Sequence, residues 1–220
     1  MSARSTQIRR SWDDNASAWL DAVHGKRIES RRVATDAAMV EAVTALQPRR
    51  MLDVGCGEGW LCRALGARAV HAVGIDACAA LVDAARARDA SQSGSFHQAD
   101  YLALSRDPLA FGRFDAALCN FALFEDDVEP LLGALASLLE PDGTLLIQTL
   151  HPVEGDVGGW REERFTSMGP AFTTPMPWYQ RSRAAWLECL AAAGFGHVHS
   201  QDVNHPQSGA PLSLLLRARL

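Results

Sequence analysis

Three glycines at alternate positions, Gly55, Gly57 and Gly59, close the run Met51-Leu-Asp-Val-Gly-Cys-Gly-Glu-Gly-Trp60. The run reads as a buried strand ending in a glycine-rich turn. Such a turn brings backbone N–H groups close to a ligand that a Cβ would keep away. Further on, His71-Ala-Val-Gly-Ile-Asp76 reads as a second short apolar strand that ends in a carboxylate. Strand, glycine turn, helix, strand and acid, in that order, form the layout of a nucleoside-binding βαβ unit. The acid is then placed for ribose hydroxyls. The spacing narrows the ligand. A dinucleotide fingerprint needs a third glycine opening a helix under a pyrophosphate, and a P-loop needs a lysine with Ser or Thr; both are missing. Asp53, inside the turn, disfavours a pyrophosphate and suits a ligand bearing an ammonium or other positive charge.

The D-x-G-x-G-x-G pattern resembles the first motif of the class I S-adenosylmethionine (SAM) methyltransferases. Three later stretches match the same family in the same order. Asp100-Tyr101 follows an apolar-alternating segment. Phe114-Asp-Ala-Ala-Leu-Cys-Asn120 is similar to the fourth strand and its loop. Leu138-Leu-Glu-Pro-Asp-Gly143 is similar to the turn into the fifth strand. The core of the resemblance covers about residues 48 to 150, and residues 182 onward fit it too.

The resemblance implies a cofactor, SAM, and a set of residues to hold it. Gly55, Cys56 and Gly57 would run beneath the methionine portion, with Asp53 holding its ammonium directly or through water. Asp76 and Ala77 would border the ribose, Asp100 and Tyr101 the adenine, and Asn120 and Phe121 the amino group and the methyl. The family often folds a short N-terminal helix over the pocket, which makes Trp12 or Trp19 a wall of it, with core packing as the alternative. Arg31, or its neighbour Arg32, could fork onto the cofactor carboxylate, or be a solvated helix end. The methyl acceptor is expected to be small and partly apolar. The acidic or Pro-Pro motifs of nucleic-acid amino methyltransferases are replaced here by Asn120-Phe-Ala-Leu123. A SAM-binding module without catalysis is the competing reading, and a nicotinamide oxidoreductase is disfavoured by the glycine spacing.

Three residues are candidates for the chemistry at the acceptor. His151, at the end of the fifth strand, has a side chain whose ordinary pKa suits a general base. Tyr179 and Arg181 could orient an acceptor hydroxyl or carboxylate. His197 and His199 alternate onto one strand face, but only Asp202 and His205 stand near them, so no metal site is expected.

The elements that must position these residues form an α/β Rossmann-like, seven-stranded sheet. It is mostly parallel, with an antiparallel last strand and helices on both faces. Apolar spacing predicts a helix over residues 6–24 and another from Arg31 to about Leu46. Together residues 1–47 make a helical lid. Strands are expected after Pro48 and at Val70–Ile75, Phe96–Ala99, Asp115–Cys119, Thr144–Leu150, Phe195–Val203 and Leu212–Arg219. Helices fill the intervals, at Leu61–Leu65, Cys78–Arg88, Val128–Leu139 and 182–193, and Ser91-Gln-Ser-Gly-Ser95 is a loop. The last two strands share a short Pro/Gly turn and must be antiparallel. Residues 151–181, rich in Gly, Pro and aromatics, interrupt the pattern. A long loop at the carboxyl edge of such a sheet is read as an acceptor cap.

With 220 residues the chain fits one α/β domain, residues 1–220. The net charge is -5 and Lys26 is the sole lysine, which leaves no basic footprint for nucleic acid. The polar start lacks a signal-peptide core, and no apolar run could span a bilayer, so a cytoplasmic location is expected. Five cysteines without C-x-x-C spacing suit a reducing compartment. Oligomeric state is left open, a homodimer among the options.

Overall fold

Strand β1 (Arg50–Val54) lies in the interior of a sheet, and its sequence explains why. Met51, Leu52 and Val54 are fully buried, as a parallel strand covered on both faces requires. The computed structural model describes residues 2–90, 94–152, 155 and 158–220. Ser91, Gln92 and Ser93 of the expected loop lie outside the described residues.

β1 pairs in parallel with β2 (His71–Asp76) on one side and β4 (Phe114–Asn120) on the other. β3 (Gly94–Gln98) extends the sheet beyond β2, and β5 (Leu139–Leu150) extends it beyond β4. The chain then crosses to β8 (His197–Asn204) and returns through β9 (Pro211–Arg219). β9 slots between β5 and β8 and is antiparallel to both, giving the order β3-β2-β1-β4-β5-β9-β8. The fold expected from sequence is the fold observed. The β8–β9 turn is closed by the His205 N–H on the Ala210 carbonyl at 2.8 Å.

Alternation along the strands sends successive side chains to opposite layers. Met51, Ala72, Ala116, Leu118 and Leu146 face helices α2 (Asp36–Leu46), α3 (Trp60–Gly66) and α4 (Ala79–Arg88). Leu52, Val54, Val73, Ala117 and Ile147 face α5 (Tyr101–Arg106), α6 (Glu129–Leu138) and α7 (Arg183–Ala192). Trp186 of α7, Phe114 of β4 and Phe195 are the bulkiest fully buried side chains of that second layer.

Helix α1 (Ala3–His24) starts earlier than its apolar spacing suggested because Ser2 caps it, accepting from the Ser5 N–H at 3.0 Å. The second helix opens with a π-helical turn, Arg31–Thr35, before α2. β5 also begins early. Leu139 pairs with Phe114 before an irregularity at Glu140–Gly143, and regular pairing resumes at Thr144. The described part of residues 151–181 contains strands where a loop was expected. Strands β6 (Gly159–Glu163) and β7 (Met176–Gln180) form a separate antiparallel hairpin.

That hairpin is fastened to α1. Buried Asn15 donates to the Thr174 carbonyl at 2.7 Å and accepts from the Thr173 N–H at 2.9 Å. Ser11 adds a bond to the same carbonyl at 2.8 Å. Ile8, Phe165 and Met176 bury an apolar seam between the two, with Trp12, Phe124 and Trp178 against it. Among the described residues no helix is long and apolar enough to cross a membrane.

Candidate functional site

At the carboxyl ends of β1, β2 and β4 lies a cavity of about 460 Å³. The glycine turn forms its floor. Gly55, Gly57 and Gly59 all have positive φ, at 75°, 55° and 77°. At Gly55 a Cβ would stand 2.5 Å from the Ala122 Cβ, so only glycine lets the turn pass the loop after β4. At Gly57 a Cβ would meet nothing within 4 Å, which marks it as backbone bared to the cavity.

Asp76, at the end of β2, ties the turn to its neighbour. Its Oδ2 accepts from the Gly57 N–H and its Oδ1 from the Cys78 N–H, each at 2.8 Å. Each oxygen keeps a second lone pair for a ligand hydroxyl. Burial raises this carboxyl above its ordinary pKa, against the two N–H bonds that lower it. Cys56 lines the same floor. Burial, reinforced by the charges of Asp53 and Asp76, pushes its thiol well up, so it stays protonated and a poor nucleophile.

The adenine-side expectation falls on Asp100 and Tyr101, which line the next stretch of wall with Ala77. Asp100 caps α5, accepting from the Ala103 N–H at 2.8 Å, and meets Arg9 of α1 at 3.3 Å. Arg9 also reaches the Ala77 carbonyl at 3.4 Å, which closes the helix over this end. Tyr101 donates its hydroxyl to the Ala122 carbonyl, and burial holds that phenol well above its ordinary range. Asn120 and Phe121 line the cavity after β4. The Asn120 Oδ1 is buried with no hydrogen-bond partner among the described residues. Trp12 forms wall beside an edge-on Trp19, ring centres 5.1 Å apart. Arg31 is at the opposite rim, its guanidinium 4.8 Å above the Trp60 ring and 2.9 Å from Asp36.

Asp53 is the exception among the expected cofactor residues. Strand alternation turns it to the α3 side of the sheet, like Met51, and away from the cavity lining. It is 1 % exposed, its Oδ2 accepts from the Cys62 thiol at 3.6 Å, and its Oδ1 has no partner among the described residues. Burial raises its pKa from 3.8 to about 7. Its one side-chain bond among the described residues is thus to α3 and not to the turn.

The three residues expected at the acceptor do not line the cavity either. The His151 imidazole crosses to β8 and lies 3.0 Å from Asp202, which Arg183 also grips. Those bonds, Arg183 first and His151 after it, hold the Asp202 carboxyl below its ordinary range. Tyr179 sits edge-on to Trp160 and gives its N–H to the Phe124 carbonyl at 2.8 Å. Arg181 is 5 % exposed, sandwiched by Tyr179 and Trp186, and donates to the Glu125 carbonyl at 2.5 Å. Both residues fasten the loop after β4 from behind.

Other residues line the site without having been expected there. Arg9 lies three positions before Trp12, so the same helix face carries both, and that spacing was available. Glu58 and Trp60 lie in and beside the turn itself. Glu58 is 2 % exposed and bonded to Arg63, with His24 at 3.6 Å. Ser5 and Glu125 meet at 2.6 Å across 120 residues of chain, a contact that no local pattern announces.

Comparison with known proteins agrees with this geometry. A family model described as a methyltransferase domain matches residues 27–201. A ubiquinone biosynthesis O-methyltransferase of Xanthomonas campestris pv. campestris is 39% identical over 117 residues, covering 51% of this chain and 47% of that protein. The chain thus spans about half the length of that relative. Among solved structures, a SAM-dependent methyltransferase from Mesorhizobium loti superposes with a TM-score of 0.64 at 23% identity, over 82% of this chain and 96% of that one. The N-terminal domain of EvdMO1, solved with S-adenosylhomocysteine (SAH) bound, gives 0.61 at 20% identity, over 84% and 81%. At those identities the likeness is one of fold.

Proposed function

The chain belongs to the methyltransferase-domain family, and from that premise we propose that it transfers the methyl group of SAM to a small, partly apolar acceptor in the cytoplasm. The observation that carries the reading is the Asp76 carboxylate, bonded to the Gly57 and Cys78 N–H groups at the edge of the cavity. A carboxylate at the end of the second strand, beside a glycine turn, is the arrangement that receives ribose hydroxyls. The rest of the lining fits a nucleoside without phosphate. The arginine near that end, Arg9, is already paired with Asp100.

Gly55, Cys56 and Gly57 offer backbone to the methionine portion, and the Asn120 Oδ1, without a partner among the described residues, is an acceptor for its ammonium. Arg31 is the donor for its carboxylate, and Asp100 and Tyr101 border the adenine. Bound there, SAM supplies a methyl already activated by its sulfonium. The chain has to hold an acceptor in line and keep water out, and positioning of that kind accounts for much of the rate. Helix α1 and the β6–β7 hairpin supply the roof, through Ile8, Trp12, Phe165, Met176 and Trp178. That aromatic roof favours an acceptor with an apolar body. The net charge of -5 favours a small molecule over nucleic acid.

Isothermal titration with SAM tests the cofactor. Wild type should bind, and Asp76→Ala should lose about ten-fold or more in affinity, the scale of a hydrogen bond to a charged group. No binding by wild type at millimolar SAM, or an unchanged affinity in the variant, would refute the reading. Release of SAH across an acceptor panel then distinguishes transfer from binding alone.

A further inference from the structure

The cavity continues past Asn120 into a chamber formed where α1, the β6–β7 hairpin and the loop after β4 meet. Trp12, Phe124, Phe165, Met176 and Trp178 wall it, and the Trp12 and Phe124 rings are 6.0 Å apart. One carboxylate stands in that apolar setting with a donor of its own. Glu125 is half-buried, and its Oε2 accepts from the Ser5 hydroxyl at 2.6 Å. The backbone beneath it is pinned twice, by Arg181 on the Glu125 carbonyl and by the Tyr179 N–H on the Phe124 carbonyl.

The other carboxylates of the lining are engaged elsewhere or lie open to solvent. Glu58 is bonded to Arg63, Asp76 to the glycine turn, Asp100 to Arg9, and Glu163 accepts from the Phe165 N–H. Asp126 and Asp127 are exposed at the rim. Among the described residues no histidine lines the cavity, its two lining arginines are paired with Asp100 and Asp36, and Arg181 meets Glu125 only at the backbone carbonyl, from outside the lining. The side chains that line this end, Glu125, Asp126, Asp127 and Glu163, are acidic, which attracts a cation and disfavours a carboxylate or phenolate. Aromatic faces beside a carboxylate add a second attraction for an ammonium group.

Resting on the methyltransferase reading, we propose that Glu125, positioned by Ser5, receives the acceptor, and that the acceptor is an amine on an apolar body that docks as its ammonium. It would lose one proton through Oε1 to solvent, and the freed lone pair would then take the methyl as the sulfur–methyl bond breaks to leave neutral SAH. Oε1 has no side-chain donor among the described residues and is the atom for the ammonium; Oε2 stays with Ser5.

Two probes of matched shape test this: 2-phenylethylamine, charged at neutral pH, and uncharged 2-phenylethanol. Each is titrated into the full chain with SAH present and absent, following indole NMR signals of the cavity tryptophans. Wild type should prefer the amine by about ten-fold or more, the scale of one hydrogen-bonded charge pair. Glu125→Gln should erase the preference and leave the alcohol's affinity unchanged. Glu125→Asp should keep part of the preference, as should Ser5→Ala, which retains the carboxylate. SAH affinity, read by calorimetry, should stay as in wild type in all three variants. A wild type that does not prefer the amine, or a Glu125→Gln that still does, overturns the proposal. If SAH fails to bind wild type, it is the cofactor reading that falls, whichever way the amine behaves.

Discussion

Asp53 shows how much depends on which way one side chain points. Its position in the glycine motif suggested a cofactor contact, but the two-residue period of β1 sends it under α3 instead. There, burial raises its pKa from 3.8 to about 7. The folded chain holds that proton more tightly than the unfolded chain does. Stability contributed by the protonated form is therefore complete below about pH 4 and is lost as pH rises through about 7. A shift of that size corresponds to a few kcal/mol, about 1.4 for each pKa unit. Asp53→Asn should flatten the dependence. Between about pH 5 and pH 8 its unfolding free energy in urea should fall by about 2–3 kcal/mol less than that of wild type. Equal slopes for the two proteins would show that Asp53 does not titrate in this way. His151 teaches the same lesson at the far end of β5. The sequence places it at the right edge of the sheet, but only the three-dimensional neighbourhood of Asp202 and Arg183 reveals that it turns from the cavity.

Among the elements, the strands that were easiest to read are β1, β2 and β4. Each is covered on both faces, so each shows as an apolar run ended by glycine, Asp76 or Asn120. The β6–β7 hairpin was not readable. Its strands pair across a stretch with little alternation, and its partner α1 lies over 130 residues away, so neither its order nor its docking leaves a local signal. That docking nevertheless builds the roof. Asn15 spends all of its polar atoms on it, bonding Thr173 and Thr174. Asn15→Ala leaves those groups without their partner, at a cost of about 1–3 kcal/mol. Limited proteolysis should then cut residues 158–180 several-fold faster than in wild type, and SAM should slow the cutting. Unchanged cleavage would mean that hairpin and helix are joined mainly by their apolar seam.

At the scale of the molecule, the seven-stranded order follows from a few rules that sequence carries well. Parallel strands alternate with helices, and a closing hairpin of short turn must be antiparallel, so β9 reverses beside β5. The order puts the ends of β1, β2 and β4 side by side, and with them Gly57, Asp76 and Asn120. Those three lay in the sequence as recognisable motif ends. The chamber proposed for the acceptor did not, because it is assembled from α1, the hairpin and the loop after β4 through contacts such as Ser5 with Glu125. We propose that one crevice holds both a phosphate-free sulfonium nucleoside and the group it methylates. A crystal structure of the chain grown with SAH is the decisive measurement. Ribose hydroxyls are expected on Asp76, the amino-acid tail over Gly55–Gly57 and beside Asn120, and the sulfur facing the Trp12–Phe124–Glu125 chamber. A nucleoside bound elsewhere, or a sulfur facing away from that chamber, would contradict it.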